Sequence, residues 1–276
     1  MNQTSQSGYC PVCSNPDVAE KFQAKVMHKY TAVYYYCNRC NFLYVKSPYW
    51  LEEAYQDPVN IYDVGVLSRN ISLSRKTAVI ISLTLEKNKH FLDYSGGYGI
   101  FTRLMRDSGF DFYWSDPYCQ NLFARGFEKV PGAKTYEAVT LFEVMEHLPN
   151  PYDVLDEIFQ MTDTLILTTT PLPDGIPEPG KWDYYALEHG QHISFYSLRT
   201  LRTIAEKYQA QLFDYEKDCF VITRRKIRYR ISKMLIQYLH INRLYKHARK
   251  RLKSKTSSDA RWLLTRAIGG HDENPL

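Results

Sequence analysis

Phe91-Leu92-Asp93-Tyr94-Ser95-Gly96-Gly97-Tyr98-Gly99-Ile100-Phe101 reads as the end of a buried strand, a glycine-rich turn and the start of a helix. Glycines serve where the backbone must adopt φ > 0 or approach a ligand closely. A helix that follows at once aims its first N–H groups at that ligand. A glycine turn alone is weak evidence, since many αβ loops contain one. This turn has a companion. The strand expected over Phe110–Ser115 ends at Asp116, about twenty residues past the glycines, where a doubly wound fold places a carboxylate for ribose hydroxyls.

Outward from the turn, the pattern keeps alternating. His90–Asp93 is a first strand. The helix after the glycines carries Phe101, Leu104 and Met105 on one face, with Arg103, Arg106 and Asp107 on others. A helix is expected after Pro117, holding Leu122 and Phe123. Ala138–Phe142 is a strand, Tyr152–Met161 a helix with Val154, Leu155, Ile158 and Phe159 inward, and Thr164–Thr170 another strand. Ser197 is a good N-cap for a helix through Tyr208. Gln211–Tyr215 and Cys219–Thr223 form a closing hairpin. Strands and helices of these lengths predict an α/β fold: a doubly wound, mostly parallel sheet with an antiparallel closing strand. Residues 66–87 form a helix ahead of the first strand.

Cys10-Pro-Val-Cys13 and Cys37-Asn-Arg-Cys40 are two Cys-x-x-Cys pairs. Each can present two thiolates from a tight knuckle, and two knuckles complete a tetrahedral zinc site. Strands are expected over Val33–Tyr36 and Phe42–Val45, on either side of the second knuckle, which describes a zinc ribbon. Four thiolates leave no open coordination position, so the zinc is expected to be structural.

Three motifs then converge: Asp93-Tyr94-Ser95-Gly96-Gly97-Tyr98-Gly99, the carboxylate at Asp116, and Phe142-Glu143-Val144-Met145-Glu146-His147-Leu148. In their order and spacing the chain resembles class I S-adenosylmethionine-dependent methyltransferases over about residues 60–224. The last motif is similar to the Glu-His-Leu segment of small-molecule O- and C-methyltransferases, and a zinc-ribbon front end occurs in some sugar methyltransferases of that class. The resemblance implies S-adenosyl-L-methionine as cofactor. By it, Asp93 orders the turn, and Ser95, Gly96, Gly97 and Gly99 give backbone access. Asp116 takes the ribose, Tyr118 stacks on adenine, and Phe142 and Glu143 line the cofactor side of the cleft. Ser95 departs from the family, where glycine is usual.

Pro171–Gly190 is a long loop leaving the carboxyl end of a strand, the edge at which open α/β sheets hold ligands. It carries Trp182, Tyr184 and Tyr185, followed by Glu188-His189-Gly190-Gln191-His192. A hydroxyl acceptor of a methyl group must lose a proton, and a histidine suits that task. His189 or His192 is the expected base, with Glu143, Glu146 or His147 as second choices and Tyr184 beside them in the pocket; for His147 a capping or packing role at the helix after the strand is the favoured reading.

The charge is divided. Residues 224–276 hold fifteen lysines and arginines against three acidic residues, while the rest of the chain holds twenty against twenty-seven. Apolar residues recur at three- and four-residue steps from Ile227 to Leu252, which predicts one or two basic amphipathic helices. Packing on the oppositely charged body is the plain reading; an anionic membrane surface or nucleic acid phosphates are the others. After Ser254 a polar stretch, then the apolar Trp262-Leu263-Leu264, then a frayed end are expected. The domains are then 1–50, a zinc ribbon; 51–224, the cofactor-binding domain; and 225–276, a basic helical extension. The start has no secretory pattern and no long apolar run, so a cytoplasmic home is expected. The function expected is methyl transfer to a small molecule such as a sugar or a phenol or quinone precursor. An RNA-modifying methyltransferase and a catalytically silent binding module are the alternatives.

Overall fold

The computed structural model describes residues 8–56, 61, 63–130, 132, 135–250 and 252–267. In chain order the strands are β1 (Val18–Val26), β2 (Tyr30–Cys37), β3 (Phe42–Val45), β4 (His90–Tyr94), β5 (Asp111–Ser115), β6 (Ala138–Phe142), β7 (Thr164–Thr168), β8 (Ser194–Tyr196), β9 (Gln211–Glu216) and β10 (Cys219–Thr223). The helices are α1 (Leu51–Ala54), α2 (Val66–Thr84), α3 (Ile100–Asp107), α4 (Tyr152–Met161), α5 (Leu198–Lys207), α6 (Tyr229–Leu239), α7 (Ile241–Lys250) and α8 (Thr256–Ala267). Six strands form one mixed sheet in the order β5-β4-β6-β7-β10-β9. β4 runs parallel to β5 and β6, and β10 runs antiparallel to β7 and β9. This is the doubly wound, mostly parallel α/β architecture of class I methyltransferases, closed by an antiparallel strand.

The chain divides into two compact units: Met1–Asp63 with Leu141–Lys226, and Val64–Thr140 with Ile227–Leu276. In the first, a second sheet has the order β1-β2-β3-β8, all neighbours antiparallel. One face buries Tyr34, Leu43, Val45, Trp50, Tyr185 and Phe195 in a largely aromatic core. The expected strands beside the second knuckle are β2 and β3. β1 and β8 lack a sequence signal. The β1–β2 turn places Met27 and His28 at φ 51° and 59° without a glycine or asparagine, so no turn residue marks the hairpin. β8 has three residues and pairs with a strand some 150 positions earlier. α5 starts as expected: Ser197 Oγ accepts from the Thr200 amide (3.1 Å) and Thr200 Oγ1 from the Ser197 amide (3.1 Å).

In the second unit, the helix expected after Pro117 is absent. Asp116 and Asn121 spend their side chains on the backbone amides of residues just ahead, at Tyr118, Cys119 and Ala124. Such local bonds compete with helical ones. Arg106, expected on a polar face of α3, is buried at 4% exposure. Its Nε and Nη2 both donate to Asp259 of α8 at 2.8 Å, and its Nη1 donates to Asp111 at 2.7 Å. The basic extension therefore ends in an ordered third helix where a polar stretch was expected; residues 268–276, to which the frayed end was assigned, lie outside the described residues. α6 and α7 pack along α2. Among the described residues no helix is long and apolar enough to cross a membrane.

Candidate active site and metal centre

In the second unit, the turn between β4 and α3 is a cradle built from backbone. Ser95, Gly97 and Gly99 have φ of 57°, 54° and 83°. The serine takes the left-handed conformation that the usual glycine would. Gly96 has no room for a side chain: a Cβ there would sit 2.5 Å from Asp93 Oδ2 and 2.8 Å from Trp114 Cδ1. Gly97 instead faces open space, with nothing within 4 Å of a Cβ. Its amide donates to Asp116 Oδ2 (2.9 Å), and its carbonyl accepts from Trp114 Nε1 (2.9 Å). Asp116 is thereby tied to the glycine turn, at the carboxyl ends of adjacent parallel strands. Tyr118 is 75% exposed beside it in sequence.

Asp93 points inward. It accepts from Thr102 Oγ1 (2.9 Å) and Thr140 Oγ1 (3.0 Å) and is 3% exposed. Burial pushes its carboxyl up to about 7, against the pull of the two hydroxyls. Its two bonds tie β4 to α3 and to β6.

In the first unit, carboxylates and imidazoles gather after β6. Phe142 closes the strand, and Glu143 follows with φ 54°. Thr168 Oγ1 donates to Glu143 Oε1 (2.7 Å) and accepts from the Glu143 amide (3.0 Å). Glu146 is fully buried, and neither carboxylate oxygen has a hydrogen-bond partner. The hydroxyls of Tyr184 and Thr169 lie close enough to favour its charged form, yet neither completes a hydrogen bond. Burial, reinforced by the charge of Glu143, pushes the Glu146 carboxyl up to about 8.

Three histidines stand nearby. The rings of His147 and His192 meet edge to face with centroids 4.9 Å apart, and His189 lies 5.3 Å from His192. His147 Nδ1 is 3.2 Å from the Gln191 carbonyl, and His192 Nδ1 is 2.7 Å from the Tyr184 carbonyl. A carbonyl only accepts, so Nδ1 carries the proton in both rings, and in the neutral rings the lone pair is on Nε2. His189 is the reverse: its Nδ1 accepts from the Gln191 amide at 3.3 Å. Burial lowers His147 to about 3 and His192 to about 4, and lowers His189 as well. Tyr184 is pushed well above its ordinary value by burial, so its hydroxyl stays protonated. It donates to or accepts from Thr169 Oγ1 (3.1 Å) and accepts from the Thr170 amide (3.1 Å). The structure thus gathers His147, His192, His189, Tyr184 and Glu146. The motif alone offers Glu146 only as a second choice and favours packing for His147; a buried carboxylate without partners does not show in a motif.

The four cysteines converge. Cys10 and Cys40 sulfurs are 3.5 Å apart, as are those of Cys13 and Cys37, and all four lie within 4.8 Å of one another. A tetrahedral zinc–thiolate site has sulfurs about 3.8 Å apart, so the set fits one ion. Both knuckles share a geometry: Ser14 and Asn41 take φ of 55° and 59°, and their amides donate to the Cys10 and Cys37 carbonyls.

Fold and cradle together define the methyltransferase class. A family model described as a methyltransferase domain matches residues 69–214, just over half of the chain, and the protein belongs to that family. No curated protein matches the sequence. Solved structures to which the chain is similar include an SAH-bound methyltransferase of calicheamicin biosynthesis, at 13% identity and TM-score 0.42, covering 63% of this chain and 61% of that one. An O-methyltransferase family 2 protein from Planctomyces limnophilus in complex with apigenin is 14% identical, with TM-score 0.42 and coverages of 62% and 63%. Magnesium protoporphyrin IX methyltransferase from Synechocystis with bound SAH is 15% identical, with TM-score 0.41 and coverages of 63% and 93%. The chain spans about three-fifths of the length of the first two.

Proposed function

We propose that the protein is an S-adenosylmethionine-dependent methyltransferase acting on a small-molecule acceptor, such as a sugar or a phenol or quinone precursor. The observation that carries this reading is the bond from the Gly97 amide to Asp116, which sets a carboxylate and an open glycine backbone side by side at the strand ends. Asp116 would hold the ribose hydroxyls, Gly97 and Gly99 the amino-acid end, and Tyr118 the adenine, with Phe142 and Glu143 lining the cofactor side. Bound S-adenosylmethionine supplies an electrophilic methyl group on sulfur. The chain must supply a place for the acceptor's proton. His192 suits that role better than His189, since its Nε2 lone pair is uncommitted by Nδ1 while the Nδ1 lone pair of His189 already receives an amide. Tyr184 orients His192 through its carbonyl.

Zinc on Cys10, Cys13, Cys37 and Cys40 is part of the proposal, as a structural ion. None of the six cysteines is in a disulfide, which agrees with the reducing cytoplasm proposed for the chain. Residues 1–50, 51–224 and 225–276 are proposed to work as ribbon, transferase body and basic extension. An anionic surface would find its target on α6, where Ile231 and Met234 are exposed among arginines and lysines; flotation with anionic vesicles tests this. Calorimetry with S-adenosylmethionine, repeated on Asp116→Ala, tests the cradle: micromolar binding that the variant loses is expected. Equal binding by both proteins would end the reading. Turnover with a panel of sugars and phenols tests the acceptor class.

A further inference from the structure

We propose that Glu146, His147 and His192 form a second metal site, for a divalent transition cation held by two imidazoles and one carboxylate.

Three observations point there independently. One ring nitrogen from each histidine and one oxygen of Glu146 all lie within 4.8 Å of one another. With bonds of about 2.0–2.2 Å, donors on one tetrahedral ion are about 3.4 Å apart, so the set closes on an ion by shortening its separations by no more than about 1.4 Å. Next, both Glu146 oxygens are buried with no hydrogen-bond partner. A carboxylate taken out of water needs a compensating charge or donor. A cation between it and the two rings is that partner. Finally, both histidines are anchored in the same way. Each gives Nδ1–H to a backbone carbonyl, Gln191 for one and Tyr184 for the other. This outer-shell bond fixes ring and tautomer in metal-ligating histidines and turns Nε2 toward the ion. A base needs one histidine oriented so; here two are, with their rings 4.9 Å apart beside an orphan carboxylate.

The donor set gives the ion's class. Two imidazoles favour zinc, manganese, iron or cobalt over magnesium or calcium, and a hard carboxylate disfavours copper(I). Three protein ligands leave positions open, as in sites that bind a substrate or water. The four-cysteine site has none. The site itself does not depend on the acceptor proposed above; its consequence does. An acceptor hydroxyl on the ion would lose its proton to solvent by coordination. His192 would then be a ligand, and the general-base role would apply only to the metal-free chain.

Cobalt(II) is the probe. The zinc-loaded full-length protein is titrated with it and followed by visible absorption, with zinc content measured throughout. The expected result is one saturable equivalent with weak visible bands and no sulfur-to-cobalt charge transfer. Affinity should fall at least tenfold in Glu146→Gln and in His192→Gln, both at unchanged zinc content. Absence of saturable binding to the wild type overturns the proposal without recourse to any variant. So does binding that both variants retain, or binding that displaces zinc and shows charge transfer. Should the metal test fail while S-adenosylmethionine still binds, the transferase reading stands with His192 as base.

Discussion

Replacing Asp259 by alanine should destabilise the second unit by about 3 kcal/mol. The side chain is 4% exposed and accepts from Arg106 Nε and Nη2 at 2.8 Å, and from Arg103 Nη1 at 2.9 Å. Removing one partner of a buried ion pair costs about 3–5 kcal/mol, because the other charge is left uncompensated. The lower end applies here. Arg106 keeps Asp111 at 2.7 Å and the Phe112 carbonyl at 2.9 Å, and its guanidinium stays 3.7 Å from the centroid of the Phe127 ring. Urea unfolding of the zinc-loaded protein, followed through Trp262, reads the loss, since that ring stacks on Phe127 at 5.2 Å. Trypsin should also release the tail from the variant sooner. The double variant Arg106→Met with Asp259→Leu should recover much of the loss, since a buried pair can be matched by apolar side chains of similar volume. An Asp259→Ala variant within 0.5 kcal/mol (about the scatter of surface substitutions) would refute the claim that this pair docks α8.

Other expectations follow from single side chains. Asp93 binds its proton more tightly in the native state, because burial pushes it up to about 7. Its contribution therefore favours folding fully below about pH 4 and is lost as pH rises through 7, by on the order of 4 kcal/mol at most. Asp93→Asn should accordingly show a shallower loss of stability between pH 5 and 8 in denaturant titrations. Gly96→Ala forces a Cβ to within 2.5 Å of Asp93 Oδ2, so it should cost about 1–3 kcal/mol and weaken S-adenosylmethionine binding in calorimetry. Ser95→Gly removes the cost of a left-handed serine at φ 57° and should hold or raise the melting temperature, with cofactor binding intact.

What could be read from sequence divides along a physical line. β4, the glycine turn, α4 and the closing hairpin each rest on a local pattern, and each is found within a residue or two of expectation. β1, β8 and the buried place of Arg106 rest on partners far along the chain. A stretch such as Ser194–Tyr196 has no periodicity of its own to show, and an arginine looks solvated until Asp259 is known to lie over it. The same holds at the site. Residue types and spacing singled out His189 and His192, but only the hydrogen bonds at Nδ1 separate a ring with an uncommitted lone pair from one without.

The sheet beside the four cysteines explains why the structural zinc proposed above would matter to a chemistry it would not itself perform. That sheet carries the histidine loop along its length. The Met27 amide donates to the Leu187 carbonyl (2.7 Å), Trp50 Nε1 to the Gly190 carbonyl (2.8 Å) and the Val45 amide to the Ile193 carbonyl (2.8 Å). β8 begins two residues after His192 and pairs with β3, while the Cys40 carbonyl accepts from Thr200 Oγ1 at 2.8 Å. Three bonds of about 1 kcal/mol each hold the loop only while the sheet is folded. A small metal-stapled sheet melts when its ion is removed. Cys37→Ser should therefore raise the acceptor KM and lower kcat, while affinity for the cofactor, for which the Asp93–Gly99 turn and Asp116 are the proposed site, stays within about twofold. If cofactor affinity instead fell in step with turnover, the ribbon would be supporting the whole chain rather than the histidine loop, and the division of labour argued from these bonds would be wrong.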